Sequence, residues 1–229
     1  MSKKIVVAID GPAGAGKSTV ARRLAQRLGF LYIDTGAMYR AVALWALRNG
    51  TDFDDVHRLE QLACAAQVSL ENGGRRVLLN GEDVSSAIRT QEISDGASKV
   101  STVAGVRRAL VEKQRQMAAE QSVVMEGRDI GTIVFPNADI KVYLDASVAV
   151  RAERRLKELF SRGIETTREE VEKEIRERDE RDRTRAASPL MQAPDAVYLD
   201  SSGLSIEEVE EAILKLIRER TANGKEFSR

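Results

Sequence analysis

The feature that most narrows what this chain can fold into is the run Gly11, Pro12, Ala13, Gly14, Ala15, Gly16, Lys17, Ser18. It fits G-x-x-x-x-G-K-[ST] and lies between an apolar run, Ile5–Ile9, and an amphipathic stripe of Val20, Ala21, Leu24, Ala25 and Leu28. A strand that turns through glycines into a helix is the context in which such a run cradles phosphate. The glycines let backbone N–H groups converge on a β-phosphate, and the helix N-terminus adds partial positive charge. Gly11 to Thr19 are therefore expected to bind ATP, with Lys17 bridging the β- and γ-phosphates and the Ser18 hydroxyl ligating Mg²⁺. Gly29 follows the stripe and reads as its C-cap.

The rest of the chain repeats that alternation. Short apolar runs at Phe30–Ile33, Val123–Met125, Ile140–Leu144 and Ala196–Leu199 have the length of buried parallel strands. Acids follow all five runs: Asp10, Asp34, Glu126, Asp145 and Asp200. Val100, Val103, Val106, Leu110 and Met117 form one further helical stripe. Ser205 with Glu208 reads as a capping box opening a last helix striped by Val209, Ile213, Leu216 and Ile217. The expected fold is α/β: one P-loop domain with a five-stranded parallel sheet flanked by helices.

Two segments break the rhythm. Residues 68–84 carry Asn72-Gly73 and Asn80-Gly81, which predict a small antiparallel excursion. In residues 151–185, 23 of 35 residues are charged and 10 are Arg. A stretch that polar is expected to face solvent or phosphate. An insertion over about 36–120 and a helical lid over about 151–186 are thus predicted. The lid helix should start at Thr166 or Thr167, with Glu169 or Glu170 three residues on, and run to about Asp182.

Composition removes several classes. Lys plus Arg and Asp plus Glu both total 36, so no net field favours a nucleic-acid or membrane partner. A single cysteine, Cys64, and a single histidine, His57, argue against a disulfide framework, a cysteine zinc site and a multi-histidine metal site. The apolar run near the N-terminus is broken by Asp10 and is too short for a signal peptide or a membrane span. A cytoplasmic monomer acting on small molecules is expected, with a frayed tail from Thr221.

A phosphate cradle alone does not say what the nucleotide does. A GTPase switch would need a base-reading N-K-x-D downstream, and none is present. A non-enzymatic nucleotide-gated module would not need a second cluster of phosphate-reading arginines, whereas a small-molecule kinase would. Such a cluster follows the second and third strands, in Asp34-Thr35-Gly36-Ala37-Met38-Tyr39-Arg40 and Glu126-Gly127-Arg128-Asp129-Ile130-Gly131-Thr132, and recurs in the lid.

With these blocks the sequence closely resembles the bacterial cytidylate kinases. The resemblance spans about residues 4–220 and includes Ile88-Arg89-Thr90-Gln91-Glu92, Val134-Phe135-Pro136 and Glu177-Arg178-Asp179 through Pro189-Leu190. It implies ATP-dependent phosphorylation of CMP and dCMP to CDP and dCDP, with Mg²⁺; UMP or another small acceptor is the alternative. Matched positions imply roles. Arg40 and Arg128 would clamp the acceptor phosphate through guanidinium forks; the alternative for both is structural ion pairing, for Arg128 with Glu126 or Asp129. Ser98, Arg107 and Asp129 would read the cytosine edge, unless Arg107 and Asp129 are a plain ion pair. Tyr39 would donate a hydroxyl or only pack, and Thr35 would contact the sugar–phosphate or cap a helix. Arg178 and Asp182 would face ribose and transferred phosphate, Arg185 the acceptor nucleotide, and Arg154 and Arg155 ATP. Lys17, Arg128 and Arg178 form the catalytic set. Glu126 would meet the metal through water or hold Arg128. Asp145 would lie near the metal or cap the next helix.

Overall fold

The computed structural model describes residues 4–222. Its main sheet is parallel and five-stranded, in the order β2 (Leu31–Asp34), β6 (Val123–Gly127), β1 (Val6–Asp10), β7 (Ile140–Asp145), β8 (Val197–Asp200). The strands alternate their faces. Val7, Ile9, Val124, Val142 and Leu144 pack with α1 (Lys17–Leu28) and α8 (Ile206–Ala222), whereas Ala8, Ile33, Val123 and Met125 pack beneath the helices of the insertion. Near-continuous apolar runs are what a sheet covered on both faces requires. The terminal acids fall inside the strands, and the in-register pairs Asp34–Glu126 and Asp145–Asp200 bring them to one edge of the sheet. The tail from residue 223 onward lies outside the described residues.

The insertion contains α2 (Thr35–Arg48), α3 (Val56–Ala65), α4 (Gln91–Val100) and α5 (Ala104–Met117). It also holds the antiparallel sheet β3 (Val68–Glu71), β4 (Arg76–Leu79), β5 (Glu82–Asp83). Asn72 and Asn80 adopt positive φ at its turns, 50° and 52°, as the Asn-Gly signals predict. The single stripe from Val100 to Met117 is in fact two helices. Ser101 Oγ donates to the Ser98 carbonyl and Thr102 Oγ1 to that of Lys99, both at 2.8 Å, and these bonds help end α4.

The lid is also two helices, α6 (Val148–Ser161) and α7 (Arg168–Thr184). Thr167 and Glu170 form the capping box of α7, which runs two residues beyond Asp182. The capping alternative for Thr35 and for Asp145 is not what forms: Asp34 caps α2 and Ser147 caps α6.

Candidate active site

The turn from β1 into α1 is set by glycine. At Gly11, with φ +146°, a Cβ would sit 1.9 Å from the Leu144 carbonyl oxygen. Gly16 is the left-handed N-cap of α1 and supplies no side chain to the helix N–H groups. Lys17 is buried and donates to the Pro12 carbonyl at 2.6 Å. Burial, then Arg128, push its ammonium down to about 7, against the pull of Glu126. Ser18 and Thr19 are exposed at the head of α1.

A cleft of about 1140 Å³ opens from this turn. It is lined by Ala13 to Thr19 on the donor side and by every acceptor-side residue singled out from the sequence. Gly11 and Pro12 lie behind it and shape the loop. At its centre Glu126, the penultimate residue of β6, accepts from the Tyr32 hydroxyl at 2.6 Å. Burial, then Asp34, raise its carboxyl, while Lys17, Ser18 and Tyr32 pull it down. Thr35 donates to the Glu126 carbonyl at 2.7 Å, which fixes the strand end.

The arginines gather opposite. Arg128 pairs with neither Glu126 nor Asp129: its Nε donates to Asp182 of α7 at 2.8 Å, joining strand end and lid. Burial alone would raise the Asp182 carboxyl, but Arg128 and Arg178 hold it below its ordinary value. Arg40 lies 3.5 Å from Asp34. The Nε of Arg178 has no partner, and burial followed by Arg128 lowers its guanidinium to about 10. A concentration of positive charge that its own carboxylates do not absorb is suited to a polyanion.

At the far end Asp129 and Arg107 are bound to each other, both buried, with the Arg107 guanidinium 5.5 Å above the Tyr39 ring. Burial raises the Tyr39 phenol to about 12, so it stays a neutral donor. Ser98 lies in the last turn of α4, and its hydroxyl has no partner. Arg107 Nε and Arg185 Nη2 are likewise buried and unpartnered, although Arg185 Nε donates to the Ser188 carbonyl at 2.7 Å. Polar atoms left unpaired in a cleft await a ligand or solvent.

The roles of Asp10 and Arg151 escaped the sequence reading, and of the two arginines expected at ATP only Arg154 lies beside the loop. Asp10 accepts from the N–H groups of Ile130 and Gly131 at 2.8 and 2.7 Å, anchoring the segment after Arg128 and Asp129. Arg151 grips Asp179 with two bonds of 3.1 and 2.6 Å and the Ala13 carbonyl at 3.1 Å, tying both lid helices to the phosphate loop. Arg154 bonds the Ser201 carbonyl at 2.8 Å and leans on that of Ala15, beside the loop. Arg155 instead reaches Gln91. Only the strand-end position of Asp10 carried a signal.

Comparison with known proteins places the chain in a family. The cytidylate kinase family model matches residues 7–219. The chain belongs to the cytidylate kinase family. A cytidylate kinase of Solibacter usitatus is 61% identical, covering 99% of this chain and 97% of that protein. One of Pelotomaculum thermopropionicum is 52% identical over 96% of each chain. The fold also recurs in an uncharacterised protein of Eubacterium ventriosum, with TM-score 0.51 and 12% identity, covering 93% of this chain and 98% of that one. Cytidylate kinases are nucleoside monophosphate kinases that use ATP as phosphate donor. Among the described residues no helix is long and apolar enough to cross a membrane, and no group of three or more His, Cys, Asp or Glu forms a metal site.

Proposed function

We propose that this cleft moves the γ-phosphoryl group of ATP onto the phosphate of CMP or dCMP, with the donor in the loop at Gly11–Thr19 and the acceptor under the insertion. The acceptor is already an anion at neutral pH, so no general base is needed. Alignment and charge neutralisation carry the rate. Lys17 reaches the phosphates between which charge develops. Arg128 and Arg178 face the transferred group, and Arg40 completes the clamp on the acceptor phosphate. Asp182 orients Arg128 and, with Arg185, lines the ribose side; Thr35 and Tyr39 wall the sugar–phosphate.

The base end carries the reading. Ser98 Oγ, Arg107 Nε and Arg185 Nη2 are polar atoms without partners around a buried carboxylate, Asp129. Cytosine offers an amino donor beside two acceptors, the edge such a set can complete.

The residues present also fit Mg²⁺. A hard cation that retains waters and takes substrate phosphate oxygens needs few protein ligands. The exposed Ser18 hydroxyl and the Glu126 carboxylate facing it would hold such an ion, Glu126 through water. Bound there, the ion would neutralise phosphate charge. We place the acceptor insertion at 36–120 and the lid at 151–186 of a single domain. We read the chain as a cytoplasmic monomer with small-molecule substrates and neither nucleic acid nor membrane as partner.

The direct test is ADP release from ATP with CMP, dCMP, UMP, AMP, GMP and TMP offered singly. CMP and dCMP should lead. Comparable or faster turnover of UMP would displace the base-end assignment. In the same assay Lys17→Ala should lose at least ~10²-fold in turnover, as does removing one preorganised transition-state donor.

A further inference from the structure

The lid touches the acceptor insertion through bonds that neither the phosphates nor the base requires. Glu158 on α6 accepts from Arg155 Nη1 at 2.8 Å and from Arg162 Nη2 at 2.6 Å. So held, Arg155 Nη2 donates to Gln91 Oε1 at 2.9 Å, and Arg162 Nη1 to the Arg89 carbonyl at 3.3 Å. One carboxylate therefore aims two arginines at one short segment.

Residues 89–91 also face the acceptor. They join the 3₁₀ turn Ala87–Arg89 to α4, whose N-cap is Thr90. The Arg89 guanidinium lines the cleft, where burial and then Arg40 lower its pKa and Asp34 opposes them. The segment thus meets the lid through the Arg89 carbonyl and Gln91, and the acceptor pocket through the Arg89 side chain. A counter-force lies along the same seam: Asp95 of α4 and Glu174 of α7 repel as like charges. Gln91 Nε2 leans toward Asp95 at 3.4 Å, which leaves its oxygen turned to Arg155.

We propose that Glu158, Arg155 and Arg162 form a latch on residues 89–91, through which an occupied acceptor pocket favours closure of the lid over ATP. The three are positioning residues. An acceptor phosphate that settles Arg89 settles the segment the lid must grip, and the grip in turn offsets the Asp95–Glu174 repulsion. Because such coupling is reciprocal, CMP and ATP tighten each other by the same factor. The bonds are partly solvent-exposed, so the latch tunes this coupling rather than creating all of it.

The proposal rests on the ATP and CMP reading above. Its test is calorimetric binding of a non-hydrolysable ATP analogue, with and without saturating CMP. Wild type, Gln91→Ala, Arg155→Ala, Arg162→Ala, the double Gln91→Ala/Arg155→Ala, and Gln91→Glu would be compared. In the wild type CMP should tighten the analogue. In each single alanine variant that factor should fall about threefold or more, the size of an exposed pair. The double variant should fall no further than the Gln91 single, and Gln91→Glu, which restores an acceptor to Arg155, should keep the wild-type factor. The analogue alone should bind all of them alike. An unchanged factor in Gln91→Ala overturns the latch. So does an equal loss of analogue affinity with and without CMP in Arg155→Ala, since Arg155 would then act on ATP itself. Wild-type protein that makes no ADP with CMP would instead overturn the reaction reading.

Discussion

The layer behind the phosphate loop and the lid above it are held together by different physics. Behind the loop, Val7, Ile9, Val20, Leu24 and Ile213 are almost wholly buried and pack across two helices and the sheet. The lid buries a core of only four residues, Ala152, Leu159, Val171 and Ile175. Its outer surface carries i,i+4 pairs such as Arg168–Glu172 and Arg176–Glu172, which solvent screens. Its inner surface holds Arg151–Asp179 and Arg128–Asp182, which bind it to the loop and to the strand end. Apolar burial makes the first region stable without a ligand, whereas the second is poised by charges that a polyanion completes.

The largest expected effect breaks that contrast if it fails. Leu24→Ala should cost ~2–5 kcal/mol of global stability, the range for emptying a fully buried leucine site. Val171→Ala should cost less than about 1.5 kcal/mol globally while speeding hydrogen exchange across α6 and α7, because a small satellite core opens locally. Urea titration with amide exchange reads both. Equal global losses would make lid and core one cooperative unit.

An intermediate effect concerns Asp10, where the stable layer carries a charge of its own. Burial raises its carboxyl to about 6, although two backbone N–H groups pull it back. Between its ordinary value near 4 and about 6 the folded state holds the extra proton, so this group's contribution to stability declines as pH rises through that window. Asp10→Asn does not titrate. Its stability relative to wild type should therefore improve between pH 4 and 6.5, by at most ~3 kcal/mol for a two-unit shift. A constant difference would mean that Asp10 has an ordinary pKa.

The smallest effect sharpens the account at the acceptor end. Wild type should prefer CMP to UMP by roughly tenfold or more in kcat/KM, about 1.4 kcal/mol, because uracil leaves buried polar groups unpaired. Asp129→Ala should cut CMP use far more than UMP use. Since Asp129 also holds Arg107, adding Arg107→Ala should be less than additive. Equal slowing of both acceptors would reduce Asp129 to a scaffold.

The same contrast explains what was legible in the sequence. Strands and the loop follow local rules, so apolar runs and glycine spacing located β1, β2, β7 and β8 to within a residue at either end and β6 to within two. The resemblance to cytidylate kinases named the cleft residues, and all of the acceptor set line one cavity. Partners across the chain were not legible. Arg128 finds Asp182 54 residues away and Arg151 finds Asp179 28 residues away, and no periodicity marks which of ten lid arginines does so. The break between α4 and α5 was hidden because Val100 and Val103 continue the apolar stripe while Ser101 and Thr102 end the helix with their hydroxyls.

The central claim is that the charges under the lid are held for the substrates at a cost to the fold, and Arg178 tests it most directly. Its Nε is buried without a partner, and the neighbouring Arg128 disfavours its charge. The measurement is the thermal midpoint of ligand-free Arg178→Met against wild type, paired with turnover of CMP. The midpoint should hold or rise, because a buried charge that Asp182 compensates only in part is removed and its aliphatic stem is kept. Turnover should fall by at least ~10²-fold, the scale for one transition-state donor. A midpoint several degrees lower with turnover preserved would contradict the account and make Arg178 a structural residue of the lid.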